Sequence, residues 1–497
     1  MNLATIIDAH PAERVALFSR GRPTTYGELR EQVGALRGAL AGLGVRTGDR
    51  VAMVLGNDRR FVVTYLATIG LGAAAVPLNP TSPGPELERE LAAVRPVAAV
   101  VDPVARAAWL DIHPSVVGAI SNVIATEGHD VGGAHTLEEL LAGPVSATDV
   151  VDVPPDCLAA LLFTSGTAGS PRAAMLTHGS LRANLDQSMS QPQRLGPDDV
   201  VLGVLPLHHI FGLNVVLGLS LACGATVVLV QRFDPATALE TIVERGVTVV
   251  PGAPPMWVAW AQFGDAPAEA FGRLRLALSG ASKMPTEASE QLRERFGLVL
   301  REGYGLTEAS PVVTTSTGIE PRIGSVGKAL EGVEVRLVDG HGDPVLAGDA
   351  GEILVRGLNV FAGYWNDPEA TARVLRDGWL HTGDIAVADE DGYLYIVDRA
   401  KDLIIVSGFN VYPAEVEEVI GALDGVEEVA VVGVDHPHTG EAVKAFVVCS
   451  PGVHLDEETV IAHCADNLAR YKCPTKVMFV DTLPRNVGGK LLRRALR

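Results

Sequence analysis

The chain has 497 residues, with 40 Lys and Arg against 60 Asp and Glu, so its formal charge is −20. This acidic balance argues against a general nucleic-acid binder, because such proteins neutralise phosphates with a basic surface. The length favours about two to four compact units, and the 47% of hydrophobic residues excludes wholesale disorder.

Helical and strand patterns alternate through the first half of the chain. Thr25 and Glu28 have the spacing of a capping box, and the apolar stripe that follows them through Leu40 predicts a helix. The segment DRVAMVL then predicts a strand. The same order continues with a helix at 61–71, the strand AAAVPLN, the helix PELERELAAVRP and the strand VAAVVD. We therefore expect an α/β fold of layered subdomains with mostly parallel strand pairing.

The segment 201–230 contains no Asp, Glu, Lys or Arg and is the only candidate for a membrane span. It includes Pro206 and several glycines, so we expect a buried strand, helix and strand instead. The first residues lack the basic and apolar regions of a secretory signal. Five cysteines without a CxxC pair indicate neither a disulfide framework nor a zinc site. These features predict a cytoplasmic protein without a transmembrane span, and they leave peripheral membrane association open.

The sequence texture changes twice in the second half. From about Ser325, short β-runs separated by Gly and Asp predict a β-rich subdomain. After Asp398 the helix YPAEVEEVIGAL, the strands VEEVAVVGVD and KAFVVC, and the helix LDEETVIAHCADNLA predict a small α+β unit. We expect a large domain over 1–398 and a small C-terminal domain over 399–497.

The segment LLFTSGTAGSPRAAMLT, at 161–177, has the composition of a phosphate-binding loop. Small residues allow successive backbone N–H groups to converge on an anion, and hydroxyls and Arg172 add charge-assisted hydrogen bonds. The common GxxxxGK[ST] pattern is absent from this segment. Because such a loop alone is also typical of an ordinary surface turn, other segments must decide its role.

Three further motifs follow this loop: REGYGLTEASP at 301–311, HTGDIAVADEDGYLYIVDRAKDLIIVSGFNVYPAEVE at 381–417 and PRNVGGKLLRR at 484–494. Together the four motifs resemble those of the adenylate-forming, AMP-binding superfamily in order and spacing. The resemblance covers nearly the whole chain and is greatest to bacterial medium- to long-chain fatty acyl-CoA synthetases. It implies a mobile C-terminal domain that follows a larger adenylation domain.

The resemblance implies a phosphate and metal site. In this family the hydroxyl loop holds the β- and γ-phosphates, a threonine hydrogen-bonds a phosphate and a glutamate binds Mg²⁺. The corresponding residues here are Thr164, Ser165, Gly166, Thr167, Thr307 and Glu308. Three positions depart from the family pattern, since Arg172 replaces a lysine, Ala168 replaces a threonine and Ala173 replaces a glycine. The arginine keeps the charge but is planar and less compact, which puts pyrophosphate handling in doubt.

The resemblance also implies how the nucleotide and the other substrates bind. Tyr304 would stack on adenine, with Asp384 and Arg399 on the ribose, and the remaining nucleotide-site residues would be Gly280, Ala281, Glu302, Gly303 and Ile396. His209 would orient the substrate carboxylate, and Phe211 and the segment 251–257 would lie near the acyl pocket. Lys490 would be the catalytic lysine, Lys401 the hinge and Gly408 a residue of the pantetheine channel. We do not expect His208 and His209 to share a metal, because neighbours on a strand point to opposite faces.

The predicted function is ATP-dependent activation of a carboxylic acid, expected to be a fatty acid, to an acyl adenylate with release of pyrophosphate, followed by transfer to CoA. The expected cofactors are ATP, Mg²⁺ and CoA as a substrate. Two alternatives stay open: loading of a carrier-protein phosphopantetheine, and a nucleotide-binding pseudoenzyme, suggested by the departures at Arg172 and Ala168. No nucleic-acid partner is expected, and the sequence leaves monomer and homodimer open.

A basic run near the C-terminus suggests a docking surface for the CoA phosphates. It consists of Arg470, Lys472, Lys476, Arg493 and Arg494. Positive charge concentrated in this way could attract a polyanion to a protein that is acidic overall. The alternative is a solvated basic face without a ligand.

Overall fold

The computed structural model describes the chain except for residues 129, 134, 144–147, 165–171, 268, 400–403, 485–492, 494–495 and 497. The described residues form four β-sheets with helices packed on them, which confirms the predicted α/β class. No helix in this part of the chain is both long and apolar enough to cross a membrane.

The first sheet has seven strands within the described residues. In spatial order they are His135–Thr136, Asn122–Ala125, Ala98–Val101, Arg50–Val54, Ala74–Leu78, Leu158–Thr164 and Arg172–Thr177. All neighbours pair in parallel except the last two, which are antiparallel. The parallel pairing predicted from the alternating pattern is therefore confirmed.

The second sheet has nine strands within the described residues. In spatial order they are Lys328–Ala329, Val312–Thr315, Leu300–Gly305, Leu276–Ser279, Val249–Gly252, Val200–Gly203, Thr226–Leu229, Val15–Ser19 and Arg22–Thr25. The central strands are parallel, and antiparallel pairs close both edges. The uncharged segment 201–230 supplies two buried strands of this sheet and the helices between them, as expected.

Helices cover the faces of these two sheets. The α-helices up to residue 296 are Tyr26–Gly42, Arg59–Gly70, Gly84–Val94, Arg106–Leu110, Pro114–Val117, Leu137–Ala142, His178–Met189, Leu219–Cys223, Pro235–Arg245, Pro254–Gln262 and Thr286–Phe296. A π-helix over Phe211–Gly218 precedes Leu219–Cys223. The capping box predicted at Thr25 and Glu28 forms, with both reciprocal hydrogen bonds present. It satisfies backbone donors at the first turn that have no partner within the helix.

Two smaller sheets follow. The third contains Val333–Val338, Ala350–Gly357, Leu375–Arg376, Trp379–Ala388 and Leu394–Arg399, with the helix Pro368–Val374 beside it. The C-terminal sheet contains Ile404–Val406, Phe409–Val411, Val426–His436, Gly440–Cys449 and Lys476–Phe479. The helices Pro413–Gly421 and Glu457–Asn467 share an apolar core with one face of the C-terminal sheet. The described strands and helices after residue 325 thus follow the two changes in sequence texture.

Candidate active site

A cavity opens where parallel strands of the second sheet end. The strands Val249–Gly252, Leu276–Ser279 and Leu300–Gly305 run in the same direction, and ligands of α/β sheets bind beyond such carboxyl ends. The cavity measures about 140 Å³. Its lining includes eight of the residues predicted from the sequence, namely His209, Phe211, Gly280, Ala281, Gly303, Tyr304, Thr307 and Gly408.

His209 lies in the wall of this cavity as a neutral donor. Burial lowers the pKa of its imidazole to about 4. The backbone N–H of Phe211 donates to its Nδ1 at 3.3 Å, which places the ring proton on Nε2. A neutral imidazole with Nε2–H can donate one hydrogen bond to a substrate carboxylate without adding charge.

The expectation that His208 and His209 are neighbours on a strand is wrong. They lie in a turn after the strand Val200–Gly203, directly before the π-helix Phe211–Gly218. The apolar run suggested a longer strand, but Pro206 is followed by a turn in which the His209 N–H donates to the Pro206 carbonyl. No group of three metal-ligating side chains occurs among the described residues.

Two predicted nucleotide ligands contact each other. The Tyr304 hydroxyl donates to Oδ2 of Asp384 at 2.7 Å, so this carboxylate lies directly beside a residue that lines the cavity. Asp384 lies opposite Arg399 in the pairing of the strands Trp379–Ala388 and Leu394–Arg399. In the same pair Ile396 lies opposite Ala386 and packs against the main core. The side chain of Arg399 lies outside the description.

Glu302 contributes backbone and side chain in different directions. Its carbonyl accepts hydrogen bonds from the Ser316 N–H at 2.9 Å and the Ser316 hydroxyl at 3.0 Å. Burial raises the pKa of its carboxyl to about 7, although the N–H groups of Met284 and Gly324 and the nearby Lys283 favour the charged form. The Glu302 carboxyl therefore has backbone partners at Met284 and Gly324, whereas the Glu302 carbonyl has its partners at Ser316.

The phosphate side of the site is described only at its edges. Thr164 and Arg172 lie opposite each other at the ends of an antiparallel strand pair. The predicted ligands Ser165, Gly166 and Thr167, and also Ala168, lie outside the described residues. Arg172 Nε donates to Oδ2 of Asp367 at 2.9 Å, and the guanidinium lies over the Tyr364 ring at 5.8 Å. Arg172 thus has a carboxylate partner that the sequence did not reveal.

Tyr364 connects this arginine to the predicted metal ligand. Its hydroxyl donates to Oε1 of Glu308 at 2.6 Å. Burial and the adjacent Glu308 carboxylate raise the pKa of Tyr364 far above its usual value, so the phenol stays protonated. The segment carrying Tyr364 pairs with the strand Arg172–Thr177 through a bridge at Ala174. Sequence reasoning missed Tyr364, because a Gly-Tyr pair in a loop has no chemical signature of its own.

The Glu308 carboxylate is consistent with a magnesium ligand. Mg²⁺ usually takes one or two protein carboxylates, keeps several waters and binds substrate phosphate oxygens. Thr307 begins a short 3-10 helix next to Glu308 and also lines the cavity. The two residues therefore lie where a triphosphate and its cation would meet the strand end.

We expect Tyr364→Phe to weaken use of MgATP without unfolding the site. The change removes one hydrogen bond to a charged carboxylate, worth about 1.5–3 kcal/mol, and keeps the ring that packs against Arg172. The KM for MgATP should rise roughly 10-fold or more, while the KM for the acid stays near wild type. Tyr393→Phe is a matched control, because Tyr393 donates instead to the Glu320 carbonyl. An unchanged MgATP response would exclude Tyr364 as the residue that positions Glu308.

Gly408 reaches the cavity from the C-terminal sheet. It has φ +85°, a left-handed conformation that favours glycine, and an added Cβ would lie 3.3 Å from Ala281 and 3.4 Å from Ala253. The next residue, Phe409, places its ring 6.1 Å from His209 and stacks at 4.4 Å on Tyr471. The hairpin Ile404–Val411 therefore closes one side of the cavity. The predicted hinge Lys401 and the predicted catalytic Lys490 lie outside the described residues.

Lys472 is buried between the two parts of the molecule and so does not form a surface for CoA phosphates. Only 5% of this residue is exposed. Its ammonium contacts Glu86 of the helix Gly84–Val94 and Glu415 of the helix Pro413–Gly421, the latter at 2.9 Å. The backbone N–H of Ala469 also donates to Glu86, at 2.7 Å. The sequence prediction failed at Lys472 because a run of basic letters carries no information on burial.

A third carboxyl, Glu90, lies beside this pair, and we call Glu86, Glu90, Glu415 and Lys472 the interface cluster. Burial disfavours the Lys472 ammonium, but Tyr471 and the three carboxyls outweigh it, so its pKa lies well above the usual value. Burial, reinforced by Glu86 and Glu415, raises the pKa of Glu90 to about 8 despite Lys472 and Arg89. Among the three carboxyls around the Lys472 ammonium, the Glu90 carboxyl is therefore the one that stays protonated near neutral pH.

The raised pKa of Glu90 predicts how the free energy of unfolding depends on pH. The Glu90 carboxyl has an ordinary pKa of 4.5 when exposed and about 8 in the fold, so the folded chain binds more protons between these values. The free energy of unfolding should therefore fall as the pH rises from about 5 to about 8. Glu90→Gln keeps the neutral shape and should flatten this dependence in denaturant titrations at several pH values. An equal slope in wild type and Glu90→Gln would show that Glu90 is ionised in the fold, and Glu31→Gln, at an exposed position, is the control.

Comparisons with known proteins agree on one family. The sequence model of the AMP-binding enzyme matches residues 4–365, and that of the AMP-binding enzyme C-terminal domain matches 415–490. The chain is 38% identical to a feruloyl-CoA synthase of Amycolatopsis sp, covering 96% of this chain and 94% of that protein. It is 32% identical to a long-chain-fatty-acid–CoA ligase of Bacillus subtilis, covering 97% and 91%. A solved o-succinylbenzoate CoA synthetase of Bacillus subtilis, bound to a product analogue, superposes with a TM-score of 0.88 at 30% identity over 100% and 98% of the two chains.

Proposed function

The chain belongs to the AMP-binding enzyme family, and from this we propose that it is an AMP-forming acid–CoA ligase. It would activate a carboxylic acid with ATP and transfer the acyl group to CoA. The observation that carries the proposal is one cavity that joins a neutral histidine donor, a tyrosine bonded to an aspartate and a loop from the C-terminal sheet. The relatives named above act as CoA ligases or synthases, which supports CoA as the acceptor.

The first half-reaction converts the acid carboxylate, which has no good leaving group, into an acyl adenylate from which AMP can leave. The acid carboxylate, held by the Nε2–H of His209, attacks the α-phosphorus of ATP and expels pyrophosphate. Mg²⁺ bound at Glu308 would neutralise charge on the phosphates. Thr164, the loop 165–167, Thr307 and Lys490 would donate to the phosphate oxygens as charge spreads over them in the transition state. Tyr304, Asp384 and Arg399 would hold the adenosine.

The second half-reaction needs the C-terminal domain in another orientation. We propose that the domain 399–497 rotates about Lys401, and that the described arrangement is the one for thioester formation. Gly408 contacts the cavity here, whereas Leu483 and Leu496, on either side of the Lys490 segment, pack on the sheet face carrying Ala430 and Val432. That face is opposite the one that packs on the helices. The CoA thiolate would attack the acyl carbonyl, and AMP would leave with the electron pair of the broken bond.

Two identities of the acid have support from the relatives. The long-chain ligase of Bacillus subtilis supports the fatty acid expected from the sequence. The feruloyl-CoA synthase, which is more similar to this chain, supports an aromatic acid. The carrier-protein alternative uses the same thiol chemistry. The pseudoenzyme alternative is disfavoured by the bonded pairs Tyr304–Asp384 and Tyr364–Glu308, which keep the predicted ligands in place.

The deciding experiment separates adenylation from transfer. Pyrophosphate release with a panel of acids, ATP and Mg²⁺ should occur without CoA, and thioester should form only after CoA is added. Transfer to a carrier-protein phosphopantetheine but not to CoA would overturn the CoA assignment. Nucleotide binding without pyrophosphate release for any acid would overturn the enzymatic proposal.

A further inference from the structure

The lining of the cavity combines apolar and polar residues. Its apolar part includes Val215, Leu219 and Leu278, as an apolar substrate body requires. Its polar part includes Gln191, Gln193, Arg194 and Arg301. A channel for a simple alkyl chain would stay apolar to its end, because a guanidinium dehydrated by methylenes loses hydrogen bonds to water without replacement.

Arg301 is the polar lining residue that belongs to a strand of the second sheet. It lies on the strand Leu300–Gly305, three residues before Tyr304, which is about 10 Å along the strand at 3.3 Å per residue. Arg301 lines the same cavity as His209 and Tyr304 and is half-buried.

Some N–H donors of the Arg301 guanidinium have no acceptor among the protein residues that the structure describes. One terminal nitrogen donates to the backbone carbonyls of Ser316 and Ile319. A guanidinium has five N–H donors, so three remain on its other two nitrogens. Among the residues that the structure describes, no carboxylate lies within ion-pair distance of Arg301, and no protein acceptor takes these three. A half-buried cation in this state favours an oxygen acceptor supplied by a ligand.

Resting on the proposed ligase function, we propose that Arg301 selects acids with a second oxygen-containing group at the end remote from the reacting carboxylate. The substrate class is a compact apolar body, with the carboxylate near His209 at one end and a carboxylate or carbonyl oxygen near Arg301 at the other. An unsubstituted long alkyl chain does not fit this description.

The test compares acids that differ only at the remote end. Three phenylpropanoates with para-carboxy, para-acetyl and para-isopropyl groups are nearly equal in shape but differ in oxygen acceptors. In wild type, kcat/KM for pyrophosphate release should be about 10- to 100-fold higher for the para-carboxy acid than for the para-isopropyl acid, with the para-acetyl acid between them. Arg301→Met should abolish or invert this order, because it removes the donors and leaves an apolar side chain.

Two further variants make the result specific. Arg301→Gln can still donate to the Ser316 and Ile319 carbonyls, so it tests the charge separately from the support of that turn. Arg293→Met, an exposed change on the helix Thr286–Phe296, is the control and should keep the wild-type order. Equal losses for all three acids in both Arg301 variants, or a wild-type preference for the para-isopropyl acid, would overturn the inference. Pyrophosphate release that is absent for every acid tested would instead overturn the proposed function.

Discussion

Lys472→Met is expected to slow thioester formation by about 10²–10³ while leaving adenylation near its wild-type rate. The change removes the ammonium of the interface cluster and leaves three buried carboxyls facing one another. Breaking a buried ion pair by removing one partner typically costs about 3–5 kcal/mol. Glu86 belongs to a helix of the first sheet and Glu415 to a helix of the C-terminal sheet. The substitution therefore destabilises the described orientation of these two parts of the molecule.

The measurement is the rate of each isolated half-reaction, with acyl adenylate supplied for the second. Arg293→Met removes an exposed charge outside the interface cluster and the predicted CoA surface and is the control. Adding Glu86→Gln to Lys472→Met should recover part of the thioester rate, since fewer unpaired charges then remain buried. Equal slowing of both half-reactions would show that Lys472 supports the fold in general and not this orientation.

Lys490→Ala should have the opposite selectivity. Loss of one preorganised charge at a developing oxyanion typically costs about 10²–10³ in rate, so adenylation should fall by that factor. Thioester formation from supplied acyl adenylate should stay largely intact, because the proposed rotation withdraws Lys490 from the cavity in that step. The rates of the two half-reactions are measured as above, again with a half-buried lysine outside the cavity lining, Lys444, changed to alanine for comparison.

Equal damage to both steps by Lys490→Ala would contradict domain alternation. Loss of thioester formation alone would mean that Lys490 serves CoA instead of the phosphates. With Lys472→Met this variant forms a pair of opposite tests, since each is expected to impair one half-reaction and spare the other.

Sequence patterns predicted helices and strands well, because the spacing of residues and the backbone hydrogen bonds within one element determine it. The stripe from Tyr26 to Leu40 and its capping box follow from helical spacing and unsatisfied backbone donors, and both occur in the structure. Tyr304, which the family motif assigned to the nucleotide site, lines the cavity, and its role there stays a prediction. These inferences needed only neighbours within one element or a pattern carried by a whole family.

Long-range contacts could not be predicted in the same way. Tyr364 contacts Glu308 across 56 residues, and Lys472 contacts Glu86 across 386, so no local window contains either pair. Arg301 is the first residue of a predicted motif, yet only the fold shows that it lines the cavity. The turn at His208 and His209 was missed because an apolar run does not reveal where a strand stops.

Phe409 links acid binding to the position of the C-terminal sheet. Its ring contacts His209 on one side and Tyr471, next to the interface cluster, on the other. Some ligands will bind more tightly when the Phe409 ring lies against His209. By reciprocity, such a ligand stabilises the domain orientation that places the ring against His209, and it does so by the same free energy. The acid, its adenylate and the thioester each meet His209 differently, so each sets its own balance between the two orientations. The turnover cycle can therefore be advanced by the occupant of the cavity itself, without a separate signal to move the domain.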